Sequence, residues 1–170
     1  MSTIDGPSHG TEKADGTSNS SAFSLMQQVP CYGRERNITE DDIYDRFFDW
    51  VEERGIDPWP HQEEAMMDLV SGDHVILATP TGSGKSMVAQ GFLFAALCTG
   101  RKAYYTAPIK ALVSEKFFDA VAVFGKENVG MITGDTHINV GAAIICCTAI
   151  SMVTYGLGAQ ELRKSAETEQ

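Results

Sequence analysis

From about residue 39 onward, apolar positions recur at helical spacing and then give way to short apolar runs. Ile43, Phe47, Trp50 and Val51 share one face of a first helix. Thr39-Glu40-Asp41-Asp42 fits a helix start, a capping hydroxyl with an acid three residues on, and Gly55 is a good stop. Pro58 and Pro60 punctuate a turn. A second helix follows from about Pro60, with Ala65/Leu69 and Met66/Val70 on one side and Gly72 past its end. These stripes read as core. From residue 74 the rhythm becomes strand, helix, strand. Residues 74–78, HVILA, form a short buried strand, and a glycine-rich turn leads into a helix over 85–98. A strand over 102–106 precedes a helix over 111–124, with Val113, Phe117, Val121 and Phe124 on one face and Gly125 at its end. Residues 129–133 and 143–148 complete the set as strands. Such alternation predicts an α/β fold, a mainly parallel sheet flanked by helices.

Composition sets the limits of that fold. With 170 residues, 43% of them hydrophobic, the chain has room for one compact domain and not two. Residues 1–22 are rich in Ser, Thr, Gly, Asp and Asn, which leaves too little apolar surface to offset the entropy of ordering. A disordered tail is therefore expected over 1–38. The apolar patch at 22–30 within it reads as a sticky stretch of tail, with docking on the domain as the alternative. The ordered domain is expected over 39–149, and 150–170 reads as a divergent tail.

No apolar run is long enough for a membrane span, and no basic head with an apolar core marks a secretion signal. Cys31, Cys98, Cys146 and Cys147 lack metal-ligand spacing, and the adjacent pair would face opposite sides of a strand. They read as buried thiols in a reducing cytoplasm. His9, His61, His74 and His137 read as ordinary surface or loop residues. The net charge of −10 divides unevenly, as −11 over residues 1–73, +2 over 74–148 and −1 over the remainder. Without a Lys/Arg block, tight charge-driven binding to phosphate backbones is not expected, while backbone amides and helix ends stay open for it.

The chemistry concentrates in Thr79-Pro80-Thr81-Gly82-Ser83-Gly84-Lys85-Ser86. Gly82 and Gly84 let the backbone curl so that its N–H groups converge on an anion, and the helix beginning at Lys85 adds its positive end. The Lys85 ammonium suits the β- and γ-phosphates of a nucleotide, and the Ser86 hydroxyl suits Mg²⁺. The general phosphate-loop pattern wants Gly where Thr79 stands. Upstream, Gln62 lies on the helix that ends before the loop, and its amide offers the donor and acceptor that the paired edge of adenine needs. Downstream, Thr106-Ala107-Pro108-Ile109-Lys110-Ala111-Leu112 links a strand end to a helix start, where free N–H groups and Lys110 can meet a phosphate.

In this order and spacing, the three segments resemble superfamily-two helicases, in particular the DExH-box group related to the Ski helicases. The resemblance covers roughly residues 39–149 of an incomplete RecA-like domain. It implies that Gln62 recognises adenine and that the loop from Thr79 to Ser86 holds ATP and Mg²⁺. It further implies that Pro108 and Lys110, then Gly134 and Asp135 of the Thr-Gly-Asp turn, and then Thr148 contact a nucleic-acid strand. The strand is RNA or DNA, with RNA favoured.

The sequence also departs from the family. The family continues past Thr148-Ala149 with a glutamate, where this chain has Ile150, and no Asp-Glu pair follows an apolar strand after Lys85. The carboxylates that hold Mg²⁺ and position water are thus expected to be missing, and catalytic residues with them. A truncated or frameshifted product is one expectation; a stand-alone nucleotide-binding regulatory module is the alternative. A further expectation is that strand 74–78 lacks its sheet neighbours, leaving the chain partly molten or prone to aggregation.

Overall fold

A computed structural model of the chain describes Leu25, residues 38–80, Gly82, residues 84–154 and Gly156. The first helix, α1 (Glu40–Glu53), starts where the sequence places its cap. The Asp42 N–H donates to Thr39 Oγ1 at 3.1 Å, and the Thr39 N–H donates to Asp42 Oδ2 at 2.9 Å. These reciprocal bonds satisfy donors that a helix start leaves unpaired. Then come α2 (Pro60–Val70) and α3 (Lys85–Cys98). Strand β1 (Ala103–Ala107), helix α4 (Lys110–Phe124) and strand β2 (Val129–Ile132) form a right-to-expectation strand–helix–strand unit. A two-residue strand β3 (His137–Ile138), strand β4 (Ile144–Thr148) and a short helix α5 (Ala149–Thr154) complete the described chain.

The sheet runs β1-β4-β2-β3, with β4 inserted parallel between β1 and β2 and only β3 antiparallel. The register pairs Ala107 with Thr148 and Ile132 with Cys147. The C-terminal ends of three parallel strands therefore lie side by side. The mainly parallel α/β sheet flanked by helices is as the sequence predicts. Neither β3 nor α5 was expected, since two residues and six residues are too short to show a period.

Alternation along β4 divides the interior. Ile144 and Cys146 join the larger core with Phe47, Met66, Phe94, Val113 and Phe124, whereas Ile145 and Cys147 face a smaller cluster with Ile132 and Ala142, against which Met152 of α5 packs. The adjacent cysteines thus point to opposite faces, as a strand demands. Leu25 is buried in the larger core, and the rest of the apolar patch at 22–30 lies outside the described residues. Helix α3 approaches α1 and α2 at Gly91, where a Cβ would meet Met66 Sδ at 2.5 Å and Phe47 Cε1 at 3.0 Å. Phe94, three residues on, stacks on Phe47 with centroids 6.1 Å apart. These contacts pack the body of α3, the helix that follows the glycine loop, against α1 and α2.

One expected element is not there. Residues 73–80 carry no strand ladder, and Ile76 is 94% exposed. The apolar run HVILA predicts a buried strand, but a strand exists only by pairing, and no strand of the sheet β1-β4-β2-β3 takes this segment as a neighbour.

Candidate functional site

Helix α3 begins after Gly82 and Gly84, whose φ values of 88° and 76° place both in the left-handed region. Side chains are disfavoured there, and the curled backbone turns toward the helix start. Gly84 caps α3 and supplies no side chain to its first N–H groups, leaving the positive helix end open. The Lys85 ammonium folds back and donates to the carbonyls of Thr79, at 2.6 Å, and Pro80, at 2.7 Å. In this state it braces the loop, and a phosphate has to draw it off those carbonyls. Ser86 is exposed. It shares a small cleft with Gln90, Tyr105, Lys116 and Asp119. Asp119 is held there by Lys116 at 3.0 Å, and Lys116 also pairs with Glu115 at 2.8 Å. Bonds to Glu115 and then Asp119 push the Lys116 ammonium above its ordinary pKa. Thr81 and Ser83 lie outside the described residues.

Gln62 is buried at 3% exposure. Its Oε1 accepts the Trp59 N–H at 2.8 Å, and the Gln62 N–H returns a bond to the Trp59 carbonyl at 2.8 Å. The amide therefore closes the start of α2, a reciprocal cap that also satisfies orphan donors. Its Nε2 end lies against Gly84, in the space that a Cβ there would need. Residues 22 positions apart thus bring the glutamine and the loop into contact. Trp59 is 66% exposed beside them, its ring tilted against His61 with centroids 6.3 Å apart.

The expected nucleic-acid contacts gather on another edge. Lys110 follows β1, Gly134 and Asp135 follow β2, and Thr148 ends β4 between those strands. Lys110 Nζ donates to both carboxylate oxygens of Asp135, at 2.8 and 2.7 Å, so the pair bridges across the end of β4. Thr133 and Thr136 hydroxyls also donate to Asp135 Oδ1, at 3.0 and 3.2 Å. Bonds from Lys110, then Thr133, hold the Asp135 carboxyl at about 2, below its ordinary value of 3.8. The Thr148 hydroxyl accepts the Ser151 N–H at 3.2 Å and lies 2.8 Å from Ser151 Oγ, capping α5. Pro108 sits in the turn between β1 and α4 and is exposed. Ser151 and Thr136 were missed in the sequence. Ser151 had a signal, since a hydroxyl followed three residues later by a bonding side chain is a helix-start pattern.

Among the described residues, no three His, Cys, Asp or Glu side chains lie close enough to hold a metal ion. No helix of the described residues is long and apolar enough to cross a membrane.

Curated relatives share this part of the chain. It is 38% identical over 87 residues to the chloroplastic DExH-box ATP-dependent RNA helicase DExH15 of Arabidopsis thaliana, a span covering 51% of this chain and 7% of that protein. It is 37% identical over 87 residues to the probable helicase HelY of Mycobacterium tuberculosis, with 51% and 10% covered. It is 40% identical over 95 residues to the antiviral helicase SKI2 of Saccharomyces cerevisiae, with 53% and 7% covered. The matched segment therefore spans a tenth or less of each of these relatives. Residues 59–167, beginning at the Trp59 cap and running through the loop, the Lys110–Asp135 bridge and Thr148, match the DEAD/DEAH box helicase family, and the chain belongs to it.

Proposed function

We propose that this chain is the ATP-binding part of an ATP-dependent helicase that acts on single-stranded RNA. The carrying observation is the convergence of Gln62 and Lys85 on one loop, the amide against Gly84 and the ammonium on the carbonyls of Thr79 and Pro80. The parts suit a magnesium nucleotide. Open N–H groups at the start of α3 and the Lys85 ammonium favour phosphate oxygens, and the exposed Ser86 hydroxyl is a hard ligand for Mg²⁺. Thr79, Pro80, Gly82 and Gly84 line the loop, and Thr81 and Ser83 complete its nucleotide-binding sequence. Gln62 Oε1 is engaged by Trp59, so its Nε2 end is the part turned toward the loop. Pro108, Lys110, Gly134, Asp135 and Thr148 form the strand-binding edge, at the C-terminal ends of parallel strands where open α/β sheets bind ligands.

Bound ATP with Mg²⁺ supplies the reactive phosphoanhydride; this chain's residues bind and orient it. Lys85 would neutralise charge on the phosphates, and the Ser86 hydroxyl would hold the metal. Hydrolysis is assigned to residues other than these, because no Asp-Glu pair follows an apolar strand after Lys85.

Calorimetry of Mg-ATP binding tests the loop assignment. Lys85→Ala removes a charge-assisted contact and is expected to weaken binding by about 1.5–3 kcal/mol. Equal affinity of mutant and parent overturns the assignment. Gln62→Ala is expected to lower the preference for ATP over GTP, and an unchanged ratio returns Gln62 to a capping role alone. Turnover with saturating RNA is expected at background; a rate near 1 s⁻¹ that Lys85→Ala abolishes, about the low end for enzymes, reveals a base within the chain.

A further inference from the structure

The Lys110–Asp135 bridge holds more chemistry than phosphate contact can use. A phosphodiester carries negative charge and no proton, so an ionised carboxylate can only repel it. The donors that a strand offers to a carboxylate are the ribose 2′-hydroxyl and base N–H groups. We infer that Asp135 accepts the 2′-hydroxyl of a nucleotide whose phosphate Lys110 holds, so that this side-chain pair selects RNA over DNA. The inference rests on the strand-binding edge proposed above.

Three observations carry it. First, the acceptor is available. Asp135 Oδ1 takes bonds from Lys110, Thr133 and Thr136, whereas Oδ2 takes only Lys110 among the described residues, and the side chain is 68% exposed. A carboxylate oxygen has room for a second donor. Second, the acceptor is held in place. Thr133 is 1% exposed at the end of β2, and its N–H donates to the Thr136 carbonyl at 2.9 Å, closing the turn that carries Asp135. Third, donor and acceptor are side by side. Lys110 spends two of its three N–H donors on the carboxylate, at 2.8 and 2.7 Å, and keeps one for a phosphate oxygen. In RNA the phosphate and the 2′-hydroxyl are close on one backbone unit, matching an ammonium beside a carboxylate. DNA offers only the phosphate, and it meets the repulsion of Asp135 uncompensated.

The test measures fluorescence anisotropy of the full chain with a labelled 12-residue oligouridine and its deoxyuridine counterpart. The two probes share bases and differ only at the sugar. The parent is expected to prefer the ribose probe by about 3- to 10-fold, the worth of one hydrogen bond. In Asp135→Ala the preference falls to about one, while affinity for the deoxy probe holds or rises because a negative charge is gone. Asp135→Asn keeps an acceptor oxygen and is expected to retain part of the preference. Thermal melts show whether each variant is folded; if the Ala variant is not, an Asn variant whose ribose preference equals the parent's overturns the inference, because a neutral amide oxygen accepts more weakly than a carboxylate. A preference that survives Asp135→Ala overturns the inference, as does a parent that binds both probes equally. Lys110→Ala is expected to weaken both probes alike. If it changes neither affinity, the strand-binding edge itself is wrong, a result distinct from losing the sugar preference alone.

Discussion

Gln62 and Gly84 touch across 22 residues of sequence, the Nε2 end of one occupying the space that a side chain on the other would fill. Gly84 also has φ of 76°, so it is required twice, by conformation and by contact. Gly84→Ala is expected to cost about 2–4 kcal/mol, combining left-handed strain of about 1 kcal/mol with overpacking of about 1–3 kcal/mol. In a Gln62→Ala background the overpacking disappears, and the same change is expected to cost only about 1 kcal/mol. Urea unfolding of the four proteins measures both values. Equal costs in the two backgrounds mean that Gln62 does not press on the loop.

Asp135 has its carboxyl held at about 2 in the folded chain, against an ordinary 3.8, first by Lys110 and then by Thr133. A depressed folded-state value favours the folded state above the ordinary value and loses that effect as pH falls through the folded one. The melting difference between parent and Asp135→Asn is therefore expected to be constant above about pH 4 and to shrink between there and about pH 2. A difference that vanishes already at pH 5 means that the bridge does not form in solution.

Cys146 and Cys147 are buried on opposite faces of β4, and burial pushes the Cys146 thiol up to about 12 and raises that of Cys147. The thiolate is the reactive form, so both are expected to resist maleimide at pH 8, while half-buried Cys98 reacts before either of them. Peptide mapping after timed labelling checks the order. Cys146→Ser places an extra polar group among apolar neighbours and is expected to cost about 1–3 kcal/mol.

The helices were legible because each carries its own evidence. Thr39 and Asp42 cap α1 from four residues of sequence, and Phe47 and Val51 mark its buried face without reference to the rest of the chain. The strands were legible where partners exist: β1, β2 and β4 fall within a residue of their expected bounds. Residues 74–78 have an equally apolar run, yet no ladder forms, since pairing depends on what lies alongside and a one-dimensional pattern is silent on that. At the site, the spacing of Gly82, Gly84 and Lys85 announced the loop. The bond from Lys85 to the Thr79 and Pro80 carbonyls and the Lys110–Asp135 bridge were not legible, because both are set by three-dimensional approach.

The contrast between β4 and residues 73–80 leads to a prediction about local stability. Strand β4 is paired on both sides and its residues Ile144 to Cys147 are fully covered, so its amides open only when the whole sheet does. Residues 73–80 have no ladder, and Ile76 projects 94% of its surface to solvent. Amides of β4 are expected to exchange at least roughly 10³-fold more slowly than those of 74–79, given the usual global stability of a domain. Side-chain replacements should follow the same division. Ile76→Thr is expected to change stability by no more than about 0.5 kcal/mol, whereas Phe94→Ala in the core is expected to cost about 3–5 kcal/mol. Because the segment leads directly into Thr79 and Pro80, whose carbonyls hold Lys85, saturating Mg-ATP should slow exchange at 78–86 more than anywhere in β4. Hydrogen exchange with and without Mg-ATP reads all of this in one experiment. Strong protection of 74–78 in the nucleotide-free monomer would mean that the run is paired after all, and the exposed position of Ile76 would then have to be abandoned.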